Sequence, residues 1–281
     1  MIKKLLGAFA LTLACTAAVA AESGYPLERA PYRINDLTAL QNGAKLFVNH
    51  CLNCHSASAM RYNKLTEIGL TDEQIRDNLL FTGEKVGDLM TIAMKPADAK
   101  KWLGTTPPDL SVIARAKSIN AGPSGADYIY TYMRSFYRDA SKQTGWDNLV
   151  FPNVGMPHVL WQQQGPRELT AVTVHQVQKD GQQAWERRTV TYDAQGYATV
   201  QTEPLQGHGL HASAEYRFKA LNPAQAAQYD RDIADLTAFM AWMAEPTQQF
   251  RVQLGVWVML FLGLFLLVAW RLNAAYWKHV K

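Results

Sequence analysis

An uncharged apolar segment near the C-terminus constrains the fold of this chain more than any other feature. Residues 252–270 contain no charged side chain, and Gln253 is the only polar one among them. A helix of this length extends about 28 Å at 1.5 Å per residue, which matches the hydrocarbon core of a bilayer. A buried helix of a soluble protein normally carries a polar stripe, which this segment lacks. We therefore predict a single transmembrane helix over 252–270 that anchors the chain in a lipid bilayer.

The N-terminus has the composition of a secretory signal peptide. Two lysines precede an apolar run over residues 5–19, and small residues suited to a signal peptidase follow it. We predict that residues 1–21 are removed, since the run is too short for the alternative, a first transmembrane helix. The tail 271–281 is basic and aromatic, which marks the cytoplasmic side of a membrane. Both ends therefore place residues 22–250 on the periplasmic side of the inner membrane.

The net charge of the chain comes from these two ends. The whole sequence has a formal charge of +4, whereas residues 22–250 contain 22 basic and 24 acidic side chains. A nucleic-acid-binding domain normally has an excess of basic residues on one face. The composition therefore predicts no nucleic-acid partner.

Two cysteines remain after signal cleavage, and they lie in the sequence Cys51-Leu52-Asn53-Cys54-His55. C-x-x-C-H is the attachment signature of c-type haem. On a helical turn, positions i, i+3 and i+4 share a face, so two thioether bonds would hold one covalently attached haem c where His55 can reach the iron. Three other interpretations are less suited. A zinc site lacks further ligands with paired spacing, and a thioredoxin-like redox pair lacks a preceding strand. A structural disulfide between these cysteines would close almost no loop.

A methionine as the second axial ligand would saturate the iron and suit electron transfer. Met156 is favoured, because two prolines and a glycine over 151–157 indicate a rigid loop with one long apolar side chain. Met90 and Met94 are rivals at a turn before a short helix, and His158 is an alternative donor from the loop of Met156. The other methionines of residues 22–250 are less suited. Met60 is too close to His55 in the sequence, and three others have the helical apolar spacing of core residues: Met133, Met240 and Met243.

The rest of residues 22–250 is predicted to be mainly α-helical. A helix over 37–48 leads into the haem motif, and Gly43 within it suggests a close helix crossing. A capping box over 71–74 begins a second helix, and the last soluble helix runs over about 230–245. Residues 170–220 differ, because short β-branched and aromatic runs alternate with glycine-containing turns. This segment is predicted to be a small antiparallel β-insertion.

Taken together, the motifs resemble the cytochrome c1 family of bacterial type, whose members are haem subunits of the cytochrome bc1 complex (ubiquinol:cytochrome c oxidoreductase). The resemblance covers most of residues 35–275. The matching segments are FVNHCLNCH (47–55), PPDLS (107–111), Arg115-Ala116-Lys117, Asp127-Tyr128, VGMP (154–157) and the segment 232–246 that precedes the anchor.

The resemblance implies a cytochrome c-like helical haem domain in which Met156 is the axial ligand opposite His55. It also implies that the haem accepts an electron from a Rieske iron-sulfur protein and passes it to a soluble cytochrome c, in a complex that contains cytochrome b. Basic residues after PPDLS meet a haem propionate in this family, so Arg115 and Lys117 are expected there, although the usual pattern is Arg-x-Arg. No substrate-converting site of the chain's own is expected.

Two other functions stay open. The chain could be the haem c subunit of another respiratory complex, and co-purification with cytochrome b or with an oxidase core would separate these complexes. In a membrane-anchored haem sensor or peroxidase, Met156 would not bind and the iron would be open to a small ligand. Binding of cyanide or carbon monoxide would identify such an open site.

Overall fold

A computed structural model describes residues 24–179, 182–206 and 211–279. The predicted signal peptide, residues 1–21, lies outside the described residues, as do the last two residues of the predicted tail. The helical share is 44%, so the protein combines helices with sheets and has less helix than the mainly α class that we predicted.

The helices and strands follow one another in a mixed order. In chain order the helices are α1 (Leu37–Leu46), α2 (Asp72–Asn78), α3 (Pro96–Leu103), α4 (Ile113–Ala116), α5 (Gly125–Arg134), α6 (Trp161–Gln164), α7 (Pro223–Ala244) and α8 (Gln248–Tyr276). The strands are β1 (Ala57–Arg61), β2 (Leu89–Met90), β3 (Phe136–Arg138), β4 (Trp146–Asn148), β5 (Arg167–Lys179), β6 (Gln182–Tyr192), β7 (Ala198–Leu205) and β8 (Ser213–Ala220). Shorter helical turns are the π turn Phe47–Cys51 and the 3-10 turns Tyr62–Ile68 and Trp277–His279.

Helix α1 leads directly into the haem motif. The Asp36 side chain caps its start by accepting hydrogen bonds from the backbone N–H groups of Thr38 (3.0 Å) and Ala39 (3.3 Å). The helix widens into the π turn Phe47–Cys51 before it ends at Leu52. Such π turns are rare and often mark functional sites in helices.

Helices α1 and α7 cross at Gly43, as the sequence predicts. A Cβ atom at this position would overlap the carbonyl oxygen of Asp235 and lie only 2.6 Å from Cβ of Phe239. The ring of Phe47 packs on that of Phe239, with centroids 5.5 Å apart. The core of the haem-motif region therefore forms around this crossing. Its largest fully buried side chains include Tyr62, Phe47, Phe136, Phe239, Leu52, Leu65, Ile68, Ile75, Met90, Leu160 and Ile233.

The β-rich segment forms a four-stranded antiparallel sheet with the strand order β7-β6-β5-β8. It begins at Arg167, three residues before the predicted start, and ends at Ala220. Within β5 to β8, Leu169 is the only hydrophobic side chain of the described residues that is fully buried. Tyr192 packs on Tyr137 with ring centroids 4.9 Å apart. The sheet therefore joins the rest of the protein near one end of its central strands.

Helix α8 is long and apolar enough to cross a membrane, and none of its side chains is buried. At 29 residues it exceeds the predicted span 252–270 at both ends. The extension over 271–276 contains no proline or glycine, so nothing in the sequence stops the helix at the edge of the apolar run. The first part of the predicted tail is therefore helical.

Candidate haem site

The two cysteines lie three positions apart on one helical turn. Cys51 is the last residue of the π turn, and its carbonyl oxygen accepts hydrogen bonds from the N–H of Cys54 (3.1 Å) and of His55 (2.9 Å). Both thiols are free, with Cys51 buried and Cys54 exposed. Burial, together with the neighbouring Cys54, raises the pKa of Cys51 to about 12. A reactive thiolate needs a lowered pKa, which the buried Cys51 does not have.

The imidazole of His55 is held in one orientation. Its Nδ1 lies 2.7 Å from the carbonyl oxygen of Pro108 and donates its proton to it, so Nε2 carries the free lone pair. Burial lowers the pKa of His55, while the Pro108 carbonyl and the Asp109 carboxylate raise it by less. The ring is therefore neutral at physiological pH, which is the form that binds a metal ion.

The segment 107–111 packs against the chain that follows His55. The N–H of Leu110 donates to the carbonyl oxygen of Ser56 (2.8 Å), and Asp109 Oδ2 accepts from the N–H (2.8 Å) and the Oγ (2.7 Å) of Ser58. These contacts position the Pro108 carbonyl that His55 uses. The sequence identified PPDLS only through a family resemblance, whereas the structure shows it as the support of the histidine.

Met156 lies half-buried in a loop whose shape is determined by two polar side chains. Asp147 Oδ1 accepts from the N–H of Asn153 (2.7 Å), and Asn148 Oδ1 accepts from two further amides of the loop. The hydroxyl of Tyr132 donates to the sulfur of Met156 at 3.5 Å. Sequence reasoning attributed the rigidity of this loop to its prolines and glycine and missed all three polar partners.

The structure separates the rivals of Met156. Met90 is fully buried in the strand β2, and His158 is only 1% exposed with its ring stacked on Phe136 at 4.7 Å. Burial lowers the pKa of His158 to about 3. Met90 and His158 are therefore side chains of the core, whereas Met94 and Met156 are both partly accessible.

The two predicted propionate contacts lie on or directly after α4 and are exposed. Lys117 Nζ lies 4.7 Å from the ring centroid of Tyr128, and this ring stacks on that of Tyr132 with centroids 5.9 Å apart. Lys117 is thus connected through two tyrosines to the sulfur of Met156. No comparable contact ties Arg115 to the Met156 loop among the described residues. Tyr128 and Tyr132 in ADYIYTYMRSFY are four apart on a helix, and this spacing is the signal that could have singled out Tyr132.

The haem motif, the PPDLS segment and the methionine loop share one hydrophobic core. Cys51, Leu110 and Val154 belong to the same buried cluster, and Met156 packs against it. Two free thiols on one turn and a neutral imidazole with one free nitrogen fit the covalent attachment of a haem. A membrane-length helix follows these residues in the described part of the chain, so the features are those expected of a membrane-anchored c-type cytochrome.

Comparisons with known proteins identify the family. The model of the cytochrome C1 family matches residues 28–82 and 215–280. The chain is 37% identical over 280 residues to cytochrome c1 of Allochromatium vinosum, an alignment that covers 99% of the chain and 100% of the relative. It is 38% identical over 280 residues to the ammonia monooxygenase gamma subunit of Nitrosomonas europaea, covering 100% of the chain and 99% of the relative.

A third relative, cytochrome b/c1 of Bradyrhizobium diazoefficiens, is 25% identical over 257 residues, which cover 84% of the chain and 32% of the relative. The chain belongs to the cytochrome c1 family. Like the proteins of this family, it carries one covalently bound haem c.

Proposed function

We propose that the chain carries single electrons from a Rieske iron-sulfur protein to a soluble cytochrome c, as the haem subunit of a cytochrome bc1 complex. Membership of the cytochrome c1 family gives it the haem-subunit role. The observation that carries the proposal is the hydrogen bond from His55 Nδ1 to the Pro108 carbonyl (2.7 Å). It leaves Nε2 of a fixed, neutral imidazole free, so that this nitrogen would bind a haem iron.

The residues have distinct roles in this proposal. Cys51 and Cys54 would hold the haem through thioether bonds, and His55 Nε2 and Met156 Sδ would be the axial ligands. When bound, the haem supplies a one-electron redox centre. Tyr132 directs its hydroxyl at one side of the Met156 sulfur, which leaves another lone pair of the thioether available.

The exposed basic groups after PPDLS have a separate role in binding the haem. We assign Arg115 and Lys117 to the haem propionates. The Lys117 ammonium already lies over Tyr128, next to the tyrosine that contacts Met156. A lysine supplies charge but not the bidentate fork of an arginine, so we expect Arg115 to bind its propionate more firmly.

The membrane topology is part of the same proposal. Residues 1–21 would be a cleaved signal peptide and 22–250 a periplasmic haem domain, with 170–220 as its β-rich insertion. The span 252–270 would cross the inner membrane once and leave 271–281 in the cytoplasm, because the basic residues of the chain's end follow the apolar run. Cytochrome b is the expected neighbour of the anchor, supported by the Bradyrhizobium relative whose name joins b and c1.

A second candidate function is that of a haem c subunit in another membrane complex. The name of the Nitrosomonas relative favours it. Purification of the chain from native membranes under mild conditions separates the two candidates. Co-purification of cytochrome b and a Rieske protein supports the bc1 assignment, and co-purification of monooxygenase subunits without them supports the alternative.

Absorption spectra of the purified protein test the ligand set. We expect the oxidised protein to show the weak red band of a methionine-to-iron charge transfer, and the variant Met156→Ala to lack it. Met94→Ala is the matched control, because Met94 is the other partly accessible methionine between the described residues 24 and 250, and it should keep the band. A wild-type protein that lacks the band and binds carbon monoxide would contradict the proposal and favour a haem sensor or peroxidase.

Removal of the tyrosine hydroxyl tests the geometry around the sulfur. Tyr132→Phe should keep the red band but lower the midpoint potential, because the hydroxyl dipole points its positive end at the ligand and so favours the reduced iron. We expect a decrease of up to about 60 mV, since a hydrogen bond contributes at most about 1.5 kcal/mol and 59 mV corresponds to a tenfold change in a one-electron equilibrium. An unchanged or raised potential, measured by redox titration, would rule out this role.

A further inference from the structure

A cleft of about 480 Å³ lies between the short helix α6, the strands β3 and β4, and the start of β5. It is separate from the residues assigned to the haem. The side chains that matter for its chemistry are Arg138, Trp146, Trp161, Gln164, Arg167 and Gln225. No aspartate or glutamate lines this cleft in the described part of the chain.

Three polar side chains of the cleft have hydrogen-bonding capacity that the described residues do not use. Arg138 stacks its guanidinium on Trp146 at 4.3 Å, which occupies its flat face and leaves its N–H edge without a hydrogen bond or ion pair there. Nε of Arg167 is buried and has no partner. Gln164 is 3% exposed and lies next to His158 and Tyr229, but neither its amide nitrogen nor its amide oxygen has a hydrogen-bond partner of normal geometry.

Neither guanidinium of the cleft makes an ion pair of its own among the described residues, and the two carboxylates near Arg167, those of Glu28 and Asp230, both pair with Arg134. Burial lowers the pKa of Arg167 to about 10, so the guanidinium still carries its charge at neutral pH. Its other end donates to the carbonyl oxygen of Arg134 (2.7 Å), and the nearby carboxylate of Asp230 is already paired with Arg134 (2.7 Å). His158, behind the cleft, is neutral because burial lowers its pKa to about 3.

The cleft contains two guanidinium groups without a paired carboxylate and a buried amide without a hydrogen-bond partner. Unpaired polar groups of this kind lower the stability of the folded protein. An acceptor with two oxygens in one plane would satisfy them, since the arginine fork matches a carboxylate edge. Trp161 is 47% exposed and offers a flat apolar surface beside these donors.

We propose that this cleft is a carboxylate-binding site, in which Arg138, Arg167 and Gln164 receive the carboxylate and Trp161 packs against the carbon atoms that bear it. The carboxylate could come from a small aromatic acid or from an acidic side chain of a partner subunit, because the chemistry is the same. The site is independent of the electron-transfer function proposed above.

Calorimetric titration of benzoate into the haem-loaded, full-length chain in detergent tests the proposal. We expect saturable binding of one benzoate per chain and none of benzamide, its neutral analogue. Arg138→Gln should weaken binding at least about 10-fold, since a hydrogen bond to a charged group is worth about 1.5–3 kcal/mol. Arg217→Gln is the matched control, because Arg217 is an exposed arginine of β8 outside the cleft, and it should bind like the wild type.

The haem absorption spectrum shows whether each variant is folded. If Arg138→Gln does not fold, Trp161→Ala is a second variant, because its position is exposed, and it should also weaken benzoate binding. Absence of saturable benzoate binding to the wild type would overturn the proposal, as would equal binding of benzamide or unchanged binding to both cleft variants.

Titration of the assembled membrane complex distinguishes the two sources of the carboxylate. If the complex binds benzoate as the free chain does, the site is open to a small acid. If only the free chain binds it, an acidic side chain of a partner occupies the cleft in the complex. Either result supports a carboxylate site, provided that the free chain binds benzoate.

Discussion

The helical region around the haem motif and the four-stranded sheet are built in different ways. The helical region buries nearly all of the hydrophobic core, whereas the sheet contributes only Leu169 among the described residues. Cross-strand ion pairs of the sheet, such as Arg187 with Glu203 (3.3 Å), lie at its surface. Burial and long-range contacts therefore determine the geometry of the haem site, and we expect changes at the surface of the sheet to leave that geometry intact.

The strongest test of this contrast removes the thiols of the haem motif. The double variant Cys51→Ser, Cys54→Ser should contain no covalently bound haem, because serine cannot form a thioether. Haem staining after denaturing electrophoresis measures it directly. His175→Ala, on the central strand β5 of the sheet, is the control and should stain like the wild type. A stained band in the double variant would show that the haem is attached elsewhere.

The second test adds one methyl group at the crossing of α1 and α7. Gly43→Ala should destabilise the protein by roughly 1–3 kcal/mol despite its better helix propensity, because the new Cβ would meet the backbone oxygen of Asp235. Gly87→Ala is the control, since a Cβ there would meet no atom within 4 Å. Thermal unfolding measures both. Equal melting temperatures for the two variants would mean that the helices can move apart at no cost.

Local signals in the sequence predicted much of this helical region. The capping box of Thr71 and Gln74 is present at the start of α2, and Gly43 marks the helix crossing. These features depend on residues a few positions apart or on a side chain that is missing, so they can be recognised in the sequence alone.

The supporting contacts of the candidate site could not be predicted in this way. His55 and Pro108 are 53 positions apart, and Tyr132 and Met156 are 24 apart. Only the packed core brings such pairs together, and a backbone carbonyl has no signature in a sequence. The share of helix was overestimated for a related reason: the sheet begins before the predicted segment, and the short strands β1 to β4 have no clear alternation of polar and apolar residues.

The third test compares two carboxylates that each accept backbone hydrogen bonds. Asp127, at the start of α5, accepts from the N–H of Ala30 (2.8 Å) and of Ser124 (2.9 Å). Asp127→Asn should cost about 1 kcal/mol in the free energy of unfolding, because it removes the charge from the capping box that Asp127 forms with Ser124. Asp193→Asn, in the turn after β6, should cost less, because asparagine is well suited to exposed turns. A larger loss at Asp193 would contradict the contrast between the two regions.

The pH dependence of the Asp127 variant sharpens this test. Burial raises the pKa of Asp127, but the hydrogen bonds from Ala30 and Ser124 outweigh it, so the pKa lies below its ordinary value of 3.8. The carboxylate therefore stabilises the folded state fully above pH 3.8 and loses this contribution as the pH falls through the lower folded value. Denaturant unfolding should show a constant difference between wild type and variant at pH 5 to 7, which decreases below about pH 4. A constant difference down to pH 2 would disprove the charged role of Asp127.

The smallest effect is expected for the ion pair on the sheet. The side chains of Arg187 and Glu203 are 46% and 64% exposed, so water and salt screen their attraction. Arg187→Gln should change the free energy of unfolding by no more than about 0.5 kcal/mol and leave the haem spectrum unchanged. Denaturant unfolding and an absorption spectrum of the same sample measure both quantities. A loss above 1 kcal/mol would contradict the small contribution expected of an exposed pair, and a shifted spectrum would show that the sheet is coupled to the haem region.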